Sequence, residues 1–143
     1  MSQTHADLSL HEVTRAFESL YDPAWAASWD AVGLVCGDPD QSVRRILFAV
    51  DPVAEVVEEA REWGADLVVT HHPLLLRGVT GVAATTPKGR IVHRLISEGT
   101  ALYTAHTNAD TAAPGVSDAL AAAVGLPGPL SPLEPDPGDP DGG

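Results

Sequence analysis

The sequence predicts an α/β protein: a mainly parallel sheet with flanking helices, in three layers. Three observations carry this expectation. From Val43 onward, short apolar runs alternate with stretches of helical periodicity, the β-α-β-α-β-α order that builds parallel sheets through right-handed crossovers. Leu67 to Thr70 is a continuous apolar, β-branched run closed by Pro73, the signature of a buried parallel strand. The chain has 143 residues, 44% hydrophobic and 20% charged, which suits one domain with a sizeable core.

The first helix is expected to begin at Ser9. Ser9 and Glu12 form a capping box, and Val13, Ala16, Phe17 and Leu20 recur at helical spacing. Asp22-Pro23 closes it. Trp25 and Trp29, four apart, read as anchors that pack a short helical turn on the body, and Trp63 as a third packing anchor. Gly33 and Gly37 bracket a short strand at Leu34-Val35-Cys36. Val43 to Val50 is the next strand. Asp51 ends it and Pro52 opens a helix, with Val53, Val56, Val57 and Ala60 as its buried stripe and Gly64 as its C-cap.

The strand Leu67 to Thr70 then delivers His71 and His72. From Leu74 to Thr85 the periodicity is lost, leaving a loop of about a dozen residues, a length that in compact domains often carries function. Thr86-Pro87 starts another helix, with Ile91, Leu95 and Ile96 inward and Gly99 as its stop. Ala101 to Ala105 is a strand that delivers His106 and Asp110. A last helix, Val116 to Val124, has the stripe Val116, Leu120, Ala123 and Val124. These elements form one domain over residues 1–126. Residues 127–143 are rich in Pro, Gly and Asp and read as a disordered tail or an interrupted linker.

The net charge is −12, and Arg44-Arg45 is the largest basic cluster. Nucleic acid and anionic membrane are therefore poor partners. A single cysteine, Cys36, excludes an intrachain disulfide and a thiolate zinc cluster. The N-terminus lacks the pattern of a secretory signal, no apolar run is long enough to span a bilayer, and the cytoplasm is the default compartment. A nucleophile elbow, a Walker loop and a G-x-G-x-x-G fingerprint are absent from the sequence.

The chemistry gathers at one sheet edge. If the three later strands are parallel, their C-terminal ends place Asp51, His71, His72, His106 and Asp110 on one rim, where open α/β sheets hold their ligands. Imidazole and carboxylate without thiolate suit zinc, iron, manganese or nickel. Adjacent histidines diverge in direction, which fits two ions better than one, and a carboxylate such as Asp110 can bridge a cation pair. Simpler roles stand beside these. Asp51 is well placed as a helix N-cap, Asp110 as a turn residue and His106 as a strand-end histidine. His5, His11 and His93 read as surface residues.

Three segments carry a family resemblance: S-W-D-A-V-G-L-V-C-G (Ser28 to Gly37), V-V-T-H-H-P-L-L (Val68 to Leu75) and Y-T-A-H-T-N-A-D (Tyr103 to Asp110). With them, from about Leu8 to Leu126, the chain resembles the N-terminal half of the NGG-interacting-factor-like proteins with dinuclear metal centres, also labelled GTP cyclohydrolase type 2 homologues. The resemblance implies two divalent metal ions held by His71, His72 and Asp110, with His106 lining the cavity. It also implies toroidal homo-hexamers and a metal-dependent hydrolase acting on a small molecule, for which Asp51 and His106 are the candidate catalytic residues. The alternative is a non-enzymatic scaffold or regulatory binding protein with a structural metal.

Two departures stand out. Ala31 replaces the asparagine usual in W-D-N-V-G-L. The later H-G-x-x-E segment that completes the family's metal site has no counterpart: no histidine follows His106, and the only later glutamate is Glu134. The expectation is a chain truncated relative to the family, with an incomplete metal site, weak metal binding and poor catalysis alone.

Overall fold

The computed structural model describes residues 7–126 and 128–132. Leu8–Ser9 (β1) pairs antiparallel with Ser42–Val43 (β3) at the base of the first helix, Leu10–Leu20 (α1). The main sheet contains Gly33–Cys36 (β2), Ile46–Ala49 (β4), Leu67–Thr70 (β5) and Ala101–Thr104 (β6), in the order β2-β6-β5-β4. Strands β4, β5 and β6 are parallel, and β2 runs antiparallel on the outside of β6. Ala54–Trp63 (α2) and Pro87–Ser97 (α3) are the crossover helices, followed by Thr107–Thr111 (α4) and Val116–Ala123 (α5).

Alternation along the central strands builds the three layers. Leu67, Val69, Ala101 and Tyr103 pack with Leu10 and Val13 of α1. Val68 and Leu102 point the other way, onto Val57 and Ala60 of α2 and Val92 and Leu95 of α3. Both β5 and β6 are buried at every residue, as their unbroken apolar runs require. The helix starts follow local chemistry. Ser9 and Glu12 close their capping box through 2.8 Å and 3.2 Å hydrogen bonds, and the Thr86 hydroxyl accepts from the Gly89 amide at the start of α3.

Several expectations are corrected. The strand read from Val43 is split, because the Asp66 carboxylate accepts the Arg44 and Arg45 backbone N–H groups at 2.8 and 2.9 Å and breaks the ladder there. Helix α2 starts at Ala54 with Val53 as a cap that makes no side-chain bond, so neither Pro52 nor Asp51 opens it. Trp25, Trp29 and Trp63 are 44–60% exposed and are not packed anchors. Ile96, Leu120 and Val124 face outward, and α5 buries only Ala121. The segment after β6 forms the short helix α4, which periodicity could not reveal in five residues. His11 and His93 lie on the surface. His5, and the expected tail apart from residues 128–132, lie outside the described residues. Residues 128–132 form no helix or strand.

Gly37, just past β2, is where α1 meets the sheet. Its φ is +136°, and a Cβ there would stand 2.6 Å from the Ala101 Cβ and 2.8 Å from a Leu10 methyl. Gly37→Ala should therefore cost about 2 kcal/mol or more through overpacking and backbone strain. Urea unfolding measures this, and an unchanged midpoint would refute so close an approach.

Candidate metal and catalytic site

The ladder ends at Thr70, but hydrogen bonding to the neighbouring segments does not. The His71 amide donates to the Ala49 carbonyl at 3.2 Å and the His72 amide to Val50 at 2.9 Å, while the Ala105 amide donates to Thr70 at 3.0 Å. The Thr70 hydroxyl donates to the His72 carbonyl at 3.0 Å. Both histidines thus ride on backbone that is still held by its neighbours. Ala49, Thr70 and Thr104 stand in one register row. Two residues further along each strand come Asp51, His72 and His106.

The side chains meet accordingly. One donor nitrogen from each of His71, His72 and His106 lies within 4.8 Å of the other two. Each ring is also fixed from behind through Nδ1. That of His71 is 3.1 Å from the Ala105 carbonyl oxygen, that of His72 is 2.7 Å from Asp51 Oδ1, and that of His106 is 3.0 Å from both oxygens of Asp30. A carbonyl can only accept, so His71 carries its proton on Nδ1 and keeps the Nε2 lone pair. An ionised Asp30 sets the same tautomer on His106. Imidazoles held in this way present Nε2 as metal ligands or as proton carriers. Asp110 Oδ1 lies 3.7 Å from His71 Nε2, which brings a carboxylate to the same space.

The segment from His106 to Asp110 is shaped by its own side chains. Asn108, fully buried, accepts the His106 amide at 3.0 Å and donates to the Tyr21 carbonyl at 2.8 Å. The Ala109 and Asp110 amides donate back to the His106 carbonyl, which winds α4 and turns Asp110 inward. All five residues expected at the rim are therefore brought there. Asp51 is not a helix cap, and its carboxylate is committed to His72.

Asp30 is the functional residue that sequence reasoning missed. Its carboxylate is fully buried and has four donors: the His106 ring, the Thr107 hydroxyl, and the backbone N–H groups of Ala31 at 2.7 Å and Thr107 at 3.1 Å. Burial pushes its pKa up, but the hydrogen bonds from His106, Thr107 and the two amides outweigh this and hold it at about 2. The signal is its place in S-W-D-A-V-G-L, one of the three segments that carry the family resemblance. Ala31, which lacks the usual asparagine side chain, still supplies its amide.

These features define an α/β protein with an imidazole and carboxylate cluster, suited to a metal ion, at the C-terminal edge of its parallel strands. The chain belongs to the Duf34/NIF3 (NGG1p interacting factor 3) family, whose sequence model matches residues 8–137. It is 62% identical over 133 residues to a Streptomyces coelicolor protein named GTP cyclohydrolase 1 type 2 homolog, covering 93% of this chain and 46% of that relative. A Mycobacterium tuberculosis protein of the same name is 58% identical over 117 residues, covering 82% and 30%. The crystal structure of a Bacillus cereus protein related to NIF3 superposes with a TM-score of 0.85 at 36% identity, over 92% of this chain and 36% of that one. The chain spans less than half the length of the curated relatives it matches and aligns with the N-terminal part of the family.

Because its folded pKa is depressed, Asp30 stabilises the fold above the ordinary carboxylate range. That contribution, on the order of 2 kcal/mol, is complete above about pH 4 and is lost as pH falls through about 2. Asp30→Asn should be less stable than wild type near neutrality, with the gap narrowing as the solution is acidified from about pH 4. Denaturant titrations across that range test this, and a gap independent of pH would refute the carboxylate's role.

Proposed function

We propose that this chain is a cytoplasmic divalent-metal-binding protein whose His71, His72 and Asp110 hold two ions, and that it serves metal-dependent hydrolysis of a small molecule. The observation that carries the reading is the group of three imidazoles, each fixed through Nδ1, with a carboxylate beside them. The donor set fits the group. Nitrogen and oxygen donors without sulfur suit zinc, iron, manganese or nickel. One donor nitrogen from each of the three imidazoles lies within 4.8 Å of the others, close enough together to hold an ion. When bound, such ions lower the pKa of water and polarise a phosphoryl or carbonyl oxygen.

The chain's own residues divide the work. His71, whose Nδ1 faces the Ala105 carbonyl, presents Nε2 for ligation. Asp51 orients His72. His106, backed by a buried anion, can take up a proton at Nε2 and have the resulting imidazolium stabilised by Asp30, as general acid-base chemistry requires. Trp29 lies edge-on to His106 with ring centroids 6.0 Å apart and borders it on the solvent side.

We further propose that copies of the chain associate. Phe48, Leu120 and Val124 are 63–65% exposed and offer apolar surface to a second copy. The family resemblance points to a hexamer. Among the described residues, no helix is long and apolar enough to cross a membrane.

Elemental analysis of the purified chain tests the reading. Wild type should carry up to two transition-metal ions per chain, and the His71→Ala, His72→Ala double variant should lose them. His106→Ala should keep its metal and lose turnover of generic phosphoester substrates by about two orders of magnitude or more, the range of a lost general acid-base group. Unchanged metal content in the double variant would overturn the ligand assignment. Metal without turnover in wild type would favour the scaffold role.

A further inference from the structure

A pocket of about 540 Å³ opens beside the cluster, between the β4–α2 and β5–α3 connections, with His72 and Asp51 on its wall. Its size is that of a small-molecule site. Val53, Val57, Leu74 and Ile91 line it with apolar surface. Three of the chain's eight basic residues, Lys88, Arg90 and Arg94, line it as well, although the chain as a whole carries −12. Arg94 is engaged by Glu58 at 3.1 Å. Among the described residues, Lys88 and Arg90 form no ion pair.

Two helix N-termini also border this space: Val53 and Ala54 open α2, and Pro87 and Lys88 open α3. The α2 cap makes no side-chain bond, so its first amides are left for another acceptor. The first turn of α3 is rigid. Thr86 caps it, and Gly89 packs so closely under the loop that a Cβ there would lie 2.1 Å from the Ala83 carbonyl oxygen. Lys88 and Arg90 flank this fixed glycine.

We propose that this pocket is the substrate-binding site and that it takes a small organic phosphomonoester. The apolar or aromatic body lies on Val57, Leu74 and Ile91, and the phosphate lies against Lys88, Arg90 and the N-terminus of α2. The proposal rests on the reading of His72 as part of the reaction site, and it adds the substrate class. Two cations without ion pairs among the described residues and the N-terminus of α2, which has no side-chain cap, border one space in an acidic protein. That arrangement matches a compact dianion, and the apolar wall matches neither water nor inorganic phosphate alone.

Phenyl phosphate is the probe, with inorganic phosphate beside it, titrated into the purified 143-residue chain by calorimetry and by amide chemical-shift mapping. Phenyl phosphate should bind at least about tenfold more tightly than inorganic phosphate, and should shift the Val53, His72 and Ile91 amides. The Lys88→Gln, Arg90→Gln variant should weaken phenyl phosphate by about tenfold or more, the loss of a charge-assisted contact, with metal content unchanged. Equal binding in wild type and variant overturns the proposal, as do shifts confined to residues away from the pocket. The two readings fail separately. Metal lost from the histidine double variant with phenyl phosphate indifferent to Lys88 and Arg90 sinks the pocket alone. Metal retained there with binding lost in the basic variant sinks the ligand assignment alone.

Discussion

Everything at this site depends on register. Strands β4, β5 and β6 pair in parallel so that Ala49, Thr70 and Thr104 share a row. Because parallel neighbours advance together, residues equally far past that row arrive side by side. Asp51, His72 and His106 are each two residues beyond it, and His71 and Ala105 each one beyond. The hydrogen bonds from the His72 ring to Asp51 and from the His71 ring to the Ala105 carbonyl follow from this offset. A slip of one residue in either pairing would turn the donors to opposite faces. The buried apolar runs of β5 and β6 hold the register, since each side chain has a different layer to fill. The cluster is thus specified by core packing well below it.

The rim was legible for the same reason. Breaker-bounded apolar runs announce strands, alternation with helices announces parallel order, and parallel order puts strand ends together. What the sequence did not show is carried by single long-range polar contacts. Asp66 takes two backbone amides and splits a strand that composition would continue. Asp30 reaches from the first third of the chain to a loop 76 residues later. Neither contact leaves a periodic trace, because one side chain carries it. The antiparallel setting of β2 is likewise invisible in four apolar residues that would suit either direction. The exposed tryptophans and the outward face of α5 mark the limit of hydrophobicity as a guide to burial, since apolar residues also occupy surfaces.

Asp30 shows how electrostatics and structure are tied. A fully buried carboxylate is costly to desolvate. Here four donors satisfy it, and each donor belongs to a segment whose position matters: Ala31 in its own loop, Thr107 at the start of α4, and the His106 ring. Ala27 adds a 2.9 Å bond from its amide to the Thr107 hydroxyl, so the whole S-W-D loop is fastened to the H-T-N-A-D loop. The charge both orients the imidazole and closes two loops on each other. The same group therefore ties the stability of the two loops to the setting of the His106 ring.

The floor and the rim of the site have opposite characters. Leu67, Val68, Leu102, Thr70 and Thr104 beneath it are at most 1% exposed. At the rim, the side chains of His72, Asp51 and Asp110 are 47%, 58% and 39% exposed. A buried floor of this kind holds the donor nitrogens in place before any ligand arrives, which is what preorganised sites require. An open rim leaves coordination positions to groups that approach from outside, whether water or a further protein segment. The two imidazoles and one carboxylate proposed as ligands are fewer than two closed coordination shells need. The exposed rim is where the remaining ligands of the proposed ions would enter.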